Sequence, residues 1–379
     1  MSPPALIRSH ELRWETRLLA VATAILTVFG IATLYAAAAL ERDAWGFFTR
    51  QLSGAIGGVI AMVIVSRVDY HRWRQLAWPL LFGALAFLLV PLLPFTHRIS
   101  PSLNGARRWI QLGPLNLQPS EAARFAVAVW TAMLAAKKGE LVRGFKKGVA
   151  PFLLVLGAVA LLILLEPNLS MAVLVCFIGG VILFTAGAKI GHFLLLAVAG
   201  LFAAVSLIWA EPYRLTRLRC FLEPCGQGNF QLDQALLGFG AGGPFGVGFG
   251  HGQLKLRYLP YAYSDFLFST IGEEWGFLGV LVVVSLFAIF CGLGFRIAKT
   301  APDSFGQYLA TGLTAAVGLA ALLHMAVTLG LMPTTGLALP FMSYGRSGLV
   351  IALISVGVLI NIGRARGKSV SGNPVSGKR

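Results

Sequence analysis

One acidic residue, Asp265, stands where the chain changes character. The polar stretch ending Pro260-Tyr261-Ala262-Tyr263-Ser264 gives way there to the hydrophobic run that begins Phe266-Leu267-Phe268. Upstream, eight glycines at near-alternate positions fill Gly238 to Gly252, and Lys255 and Arg257 follow. The ordinary use of an acid before a helix is an N-cap, worth about 1 kcal/mol. A carboxylate near membrane depth is costly and usually functional, and the two roles are compatible. Proton abstraction by a positioned carboxylate is the chemistry such a residue offers. Ser269 and Gly272 follow at helical spacing and are expected to share its face.

Two other stretches break an apolar pattern with polar groups. Residues 104–124, NGARRWIQLGPLNLQPSEAAR, hold Arg107 and Arg108 beside Trp109, then Gln118-Pro119-Ser120-Glu121 where a helix is expected to start. Glu121 and Arg124, three apart, would share a helix face and could simply pair. The alternative is an anion site, because guanidinium forks and a helix N-terminus both bind phosphate oxygens. Residues 332–348 bring Pro, Gly and hydroxyls together with Ser343, Tyr344, Gly345 and Arg346. Irregular backbone at membrane depth survives only where it is buried in protein or lines a water-filled cavity. Three such segments on one face are expected to converge on a cavity. His324, inside an apolar run, is either a core histidine with a hydrogen-bond partner or part of a polar path.

Two nucleotide-site look-alikes carry no weight. Gly238, Gly240 and Gly243 fit G-x-G-x-x-G without a strand and helix around them, and Gly363 to Ser369 is one residue short of a phosphate loop. Cys176 and Cys291 lie in apolar runs and read as packing residues. Cys220 and Cys225 lie together in a polar loop and could bridge if it faces an oxidising compartment. No Cys/His spacing of the zinc type occurs.

The elements that must position these residues are membrane spans. Of 379 residues 57% are hydrophobic and 12% charged, against about 25% charged in soluble domains. Continuous rather than alternating apolar runs disfavour a β-barrel, so the fold class is all-α, a polytopic bundle of about ten helices. The spans are placed at 18–40, 51–66, 76–95, 121–136, 149–165, 169–187, 191–210, 266–295, 306–331 and 345–363. Glu166-Pro167-Asn168 is either a tight turn or a kink in one bent segment. With the N-terminus inside, nineteen of the 31 basic residues fall in inner segments, so both termini are cytoplasmic. The net charge of +16 then belongs to cytoplasmic loops rather than to nucleic-acid binding. Residues 1–379 read as a single membrane domain: a bundle over 18–363, a large outer loop over 211–264 between the seventh and eighth helices, and a disordered tail over 364–379.

Several long motifs in fixed order now resemble the SEDS family (shape, elongation, division and sporulation). They are Asn104-Gly-Ala-Arg-Arg-Trp-Ile110, Gln118-Pro-Ser-Glu121, Gly246-Val-Gly-Phe-Gly250, Tyr258-Leu-Pro260, Ser264-Asp265-Phe266 and Leu339-Pro-Phe-Met-Ser-Tyr-Gly345. The likeness covers nearly the whole chain. The NGARRW form and the Lys255 segment look more like the FtsW branch than the RodA branch. The resemblance implies a peptidoglycan glycosyltransferase. It would polymerise lipid II into glycan strands at the outer face of the bacterial cytoplasmic membrane, in septal wall synthesis during division, with cell elongation as the related role. It implies a class B penicillin-binding protein as transpeptidase partner, other divisome or elongasome membrane proteins, and no nucleic acid.

The family's catalytic carboxylate maps onto Asp265, as base for the attacking sugar hydroxyl. Arg107, Arg108, Arg124 and Lys255 are then candidates to hold the departing diphosphate, and Gln118, Ser120, Glu121, Ser343, Tyr344 and Gly345 complete the substrate-binding set. The diphosphate leaving group supplies the driving force, so no nucleotide is required. A divalent cation, Mg²⁺ or Mn²⁺, bridging Asp265 and the diphosphate suits the chemistry, and no motif specifies one. The glycine stretch then reads as a flexible outer segment delivering Lys255 and Asp265.

This chain departs from the family pattern in several places. Tyr261 and Tyr263 stand where the family has Glu and His, Arg124 where it has Lys, Asn168 where it has Asp, and Arg346 where it has Gly. Two other readings compete: a lipid II flippase or transporter, which should show polar groups through the midplane, and a non-catalytic division scaffold.

Overall fold

The computed structural model describes residues 5–41, 43–102, 106–113, 115–209, 212–222, 230–254, 259 and 262–371. Lys255, Tyr261 and Cys225 lie outside them. In hydrocarbon a helix is the simplest way to pair every backbone group within one segment, and the apolar runs take that form. The helices are α1 (Ala5–Ala37), α2 (Ala44–Arg67), α3 (His71–Leu89), α4 (Pro119–Lys138), α5 (Ala150–Leu165), α6 (Leu169–Thr185), α7 (Ile190–Trp209), α8 (Pro212–Leu222), α9 (Phe230–Gly242), α10 (Leu267–Lys299), α11 (Ser304–Thr328) and α12 (Arg346–Ser371).

The expected spans fall on α1 to α7 and α10 to α12, while α8 and α9 form within the segment expected as outer loop. Among the described residues seven helices are long and apolar enough to cross a membrane, and Leu169–Thr185 is a shorter apolar helix. The sheet among the described residues is one hairpin, β1 (Ile110–Leu112) against β2 (Leu115–Leu117), antiparallel with Gln111 opposite Asn116, and Ala106 forms an isolated bridge. Glu166-Pro167-Asn168 is a turn: α5 and α6 pack on each other, with Leu156 against Gly179, and Asn168 caps α6 by accepting from the Met171 amide.

At the centre lies α4, nearly all of it buried from Pro119 to Met133, with α11 and α12 beside it. Small residues let the backbones approach, as membrane helices require. Leu353 sits on Gly58 and the Met62 carbonyl on Gly357 where α2 meets α12.

The glycine stretch is part helix and part tight turn, and it is not loose. Gly238, Gly240 and Gly242 belong to α9, and the turn that follows is locked against a break in α10. At Gly276 (φ 64°, ψ −161°) α10 leaves helical geometry, so the Phe277 and Leu278 amides lose their helical acceptors. They donate instead to the carbonyls of Gly243 (2.9 Å) and Pro244 (3.2 Å). The freed carbonyls of Glu273 and Glu274 accept from Val247 (3.0 Å) and Gly248 (3.1 Å). A Cβ at Gly242 would lie 1.9 Å from the Gly272 oxygen, and one at Gly276 2.3 Å from the Gly246 nitrogen. The expectation of a flexible segment is therefore corrected: these glycines serve close packing. The 33 residues of α10 would span about 50 Å as one straight helix. Beyond the break about 35 Å remains, which matches a bilayer's hydrocarbon core of about 30 Å.

The end of the bundle that holds the α2–α3 and α10–α11 turns is closed by a polar clamp. His71 lies between Asp69 (Nδ1 to Oδ1, 2.8 Å) and Asp303 (Nε2 to Oδ2, 2.7 Å). Tyr70 donates to Asp303 at 2.8 Å, and the Tyr70 amide donates to Asn361 of α12. These partners hold the Asp69 and Asp303 carboxyls below the usual carboxylate range, although burial opposes them and is the largest single influence on Asp303.

Two glycines of α10 give a matched test. Gly276→Ala forces a positive φ, worth about 1–2 kcal/mol, and a backbone clash, so its detergent-solubilised Tm falls. Gly292 faces open space, with nothing within 4 Å of where a methyl would stand, so Gly292→Ala is neutral or gains up to about 1 kcal/mol of helix propensity. Equal melting temperatures for the two variants would refute the packing role.

Candidate active site

Asp265 sits in the turn over residues 262–266 that leads into α10. The N-cap of α10 is Phe266, without a side-chain cap bond, so Asp265 lies one residue outside the helix and does not cap it. Helical spacing from Ser269 therefore does not reach it, and the Ser269 hydroxyl turns back to the Phe266 carbonyl at 2.7 Å. Asp265 is half-buried. Burial pushes its carboxyl up to about 6, opposed by a hydrogen bond from Ser264 and then by the charges of Arg217 and Arg108.

The 332–345 loop wraps this turn. Ser343 donates to the Ser264 carbonyl (2.6 Å) and accepts from the Leu339 amide (3.0 Å), and the Tyr344 amide donates to the Tyr263 carbonyl (3.1 Å). Gly336 lies next to the Asp265 carboxylate, with a Cβ position 3.5 Å from Oδ2. Buried Gln51 of α2 holds the loop's end, donating to the Ser343 carbonyl (3.0 Å) and accepting from the Gly345 amide (3.1 Å). The Tyr263 and Tyr344 rings meet edge to face, and both pack on Phe47. Phe341 takes a left-handed φ of 68° with its ring buried against Phe287 and Phe290 of α10. His324 is a core histidine: its Nδ1 lies 2.7 Å from the Leu337 carbonyl, which ties α11 to the same loop.

The cations arrive from other elements. Arg217 of α8 donates to the Thr334 carbonyl at 3.0 Å. Arg108 donates to the carbonyls of Glu166 (2.9 Å) and Pro167 at the α5–α6 turn. Both charges act on Asp265. Arg107 is committed locally, donating to Ser100 O (3.0 Å), Leu93 O (3.2 Å) and Thr96 Oγ1 (2.8 Å). Glu121 and Arg124 form a buried pair at 2.7 Å inside α4. Ser120 is fully buried, and the Gln118 amide donates to Ser347 of α12 at 3.3 Å.

The structure thus gathers Asp265, Arg108, Ser343, Tyr344 and Gly345, with Glu121 beside Gly348, while Arg107 supports the preceding loop. Cys220 is disulfide-bonded. Gln51 and Arg217 join this site without a local sequence signal, and Ser264, next to Asp265 in its motif, bonds to the carboxylate. Arg217 gave no local signal because only the tertiary fold brings α8 to Asp265. A separate groove of about 730 Å³ along α9, lined by Asp233, Leu236 and Gly240, does not contain these residues.

The comparisons agree on one family. Residues 11–368 match the family model for FtsW, RodA and SpoVE, described as cell cycle protein. A probable peptidoglycan glycosyltransferase FtsW of Geobacter sp. (strain M18) is 40% identical over 352 residues, covering 90% of this chain and 95% of that one. Stage V sporulation protein E of Bacillus subtilis is 36% identical over 92% of this chain and 96% of its own. Among solved structures, a chain of a peptidoglycan synthase complex, studied for the coordination of polymerization and crosslinking, superposes with TM-score 0.78. It is 27% identical, over 92% of this chain and 97% of that one. The rod shape determining protein RodA of Thermus thermophilus gives 0.68 and 27%, over 92% and 96%.

The raised Asp265 carboxyl has a consequence for stability. Its folded value, about 6, lies above the ordinary 3.8, so the folded state binds the proton more tightly. Stability is therefore lost as pH rises from about 4 to about 6, and above that the charged group costs up to about 3 kcal/mol. Asp265→Asn is expected to melt higher than wild type at pH 7 and to lose that advantage by pH 4. A lower Tm at pH 7 would contradict the burial cost.

Proposed function

We propose a function from one premise: the chain belongs to the FtsW, RodA and SpoVE family of cell cycle proteins. It is a multi-pass membrane protein. Its activity is that of a peptidoglycan glycosyltransferase, polymerising lipid II into glycan strands at the outer face of the bacterial cytoplasmic membrane during septal wall synthesis. The observation that carries this reading is the Asp265 carboxylate, raised to about 6 by burial, with the charges of Arg108 and Arg217 acting on it. A base of that strength is mostly ionised at neutral pH yet more proton-hungry than a free carboxylate.

In the step this supports, the 4-hydroxyl of the incoming sugar gives its proton to Asp265 as its oxygen bonds to the anomeric carbon of the growing strand. The bond from that carbon to the diphosphate oxygen breaks, and the electron pair leaves with the lipid diphosphate. Arg108 and Arg217, whose charges act on Asp265, would offset the charge that develops there. Lys255 keeps its place as a candidate from sequence. Arg107 and the Glu121–Arg124 pair shape the walls of the site in this reading. Ser343, Tyr344, Gly345 and Gln118 fix the loop and the helix start that frame it.

Among the described residues no cluster of three His, Cys, Asp or Glu surrounds Asp265. A Mg²⁺ or Mn²⁺ ion there would take one carboxylate from this chain and draw its other ligands from the diphosphate. A class B penicillin-binding protein is the proposed partner, with other divisome or elongasome membrane proteins around the pair.

The test is polymerisation of lipid II in detergent by the protein purified with its transpeptidase partner. Wild type is expected to make glycan polymer and Asp265→Asn to lose at least 100-fold, on the order expected for a general base. The rate should fall on the acid side as pH drops through about 6. Polymer made equally well by Asp265→Asn would remove the base assignment. Lipid II translocation in vesicles without polymer would favour a transporter.

A further inference from the structure

The turn between α5 and α6 buries a carboxyl that the reaction above does not use. Glu166 is 1% exposed, and neither of its side-chain oxygens has a hydrogen-bond partner. Its backbone carbonyl and that of Pro167 both accept from Arg108. The guanidinium therefore lies against this turn while its charge reaches Asp265. One cation serves two acids, one at the reaction centre and one sealed behind it. Arg108 is the charged group that acts on Glu166 from the elements packed against it, among the described residues.

We infer that Glu166 is a positioning residue for the glycosyl transfer: uncharged, it leaves the field of Arg108 to Asp265 and the substrate diphosphate, and ionised, it draws that field to itself. The inference rests on the proposed role of Asp265. A carboxylate stripped of water with no donor facing it is too costly to hold, so the group stays an acid. Burial pushes the Glu166 carboxyl up to about 8, against the opposing pull of Arg108. Asp265, aided by Ser264 and Arg217 as well as Arg108, is pushed up only to about 6. Two acids set apart by their surroundings define a working window. Above the lower value the base is ionised; below the upper one Arg108 is undivided.

The experiment is the pH dependence of lipid II polymerisation by the protein with its partner, for wild type and Glu166→Gln. Glutamine has the shape of the neutral acid and stays neutral at every pH. Wild type is expected to give a bell, falling to about a tenth of its maximum at pH 9, one unit above the upper value. Glu166→Gln should match wild type within about twofold at pH 7, keep the acid limb, and lose the alkaline fall. Superimposable profiles overturn the inference, as does a Glu166→Gln variant that folds, by its melting curve, and is inactive at pH 7. Infrared difference spectra supply an arm independent of turnover. A protonated-carboxyl band in wild type at pH 7 should lose its Glu166 component in Glu166→Gln, and an ionised Glu166 at pH 7 overturns the inference. No polymer from wild type at any pH removes the reading of the reaction itself, whereas polymer with unchanged profiles removes only the role of Glu166.

Discussion

A backbone amide or carbonyl within hydrocarbon must find its partner inside the protein, and this constraint decides the architecture around Asp265. The break in α10 at Gly276 frees two amides and two carbonyls, and four bonds from residues 243–248 take them up. The glycines exist because any side chain at Gly242, Gly246 or Gly276 would push those partners apart. The break shortens the crossing part of α10 and leaves its first turns, Leu267 to Glu274, enclosed by protein. Asp265 is thereby carried on a rigid stub rather than on a free loop.

The second organising feature is how the cations are held. Arg107, Arg108 and Arg217 all donate to backbone carbonyls. A carbonyl fixes a guanidinium in place without cancelling its charge, whereas a carboxylate does both. The contrast is Arg124, paired with Glu121 in the buried body of α4. The charges of Arg108 and Arg217 act on Asp265, while that of Arg124 is matched by Glu121 where the helices pack. The same logic applies to Gln51, which pins the 332–345 loop through one donor and one acceptor and adds no charge.

Much of the fold was legible in the sequence because its signals are local. Long apolar runs gave the helices, Pro119 marked a helix start that the structure keeps, and Glu166-Pro167-Asn168 marked a break that proves to be a turn. Asp265 stood out at a polar-to-apolar boundary, and the motif order pointed to the family. The rest depended on contacts between distant segments. Composition made the glycine stretch look loose, while its rigidity comes from a helix break more than twenty residues on in the chain. The hairpin at Ile110–Leu117 hid in a turn-rich segment. Arg217 and Gln51 look like ordinary loop and span residues until the fold brings them to the 332–345 loop. Asp265 read as a cap, and one residue of offset at the start of α10 removed that role.

The clamp of Asp69, Tyr70, His71 and Asp303 gives the bundle a mechanical polarity. It joins the α2–α3 turn to the α10–α11 turn through charge and short hydrogen bonds, and Asn361 adds α12. The Asp265 end is instead assembled from turns and loops, joined mostly by side chains bonded to backbone carbonyls and amides. The clamp thereby fixes the frame on which the Asp265 end is built. With the riveted end holding α2, α3, α10, α11 and α12 in register, the loops at the other end take their places from a fixed frame.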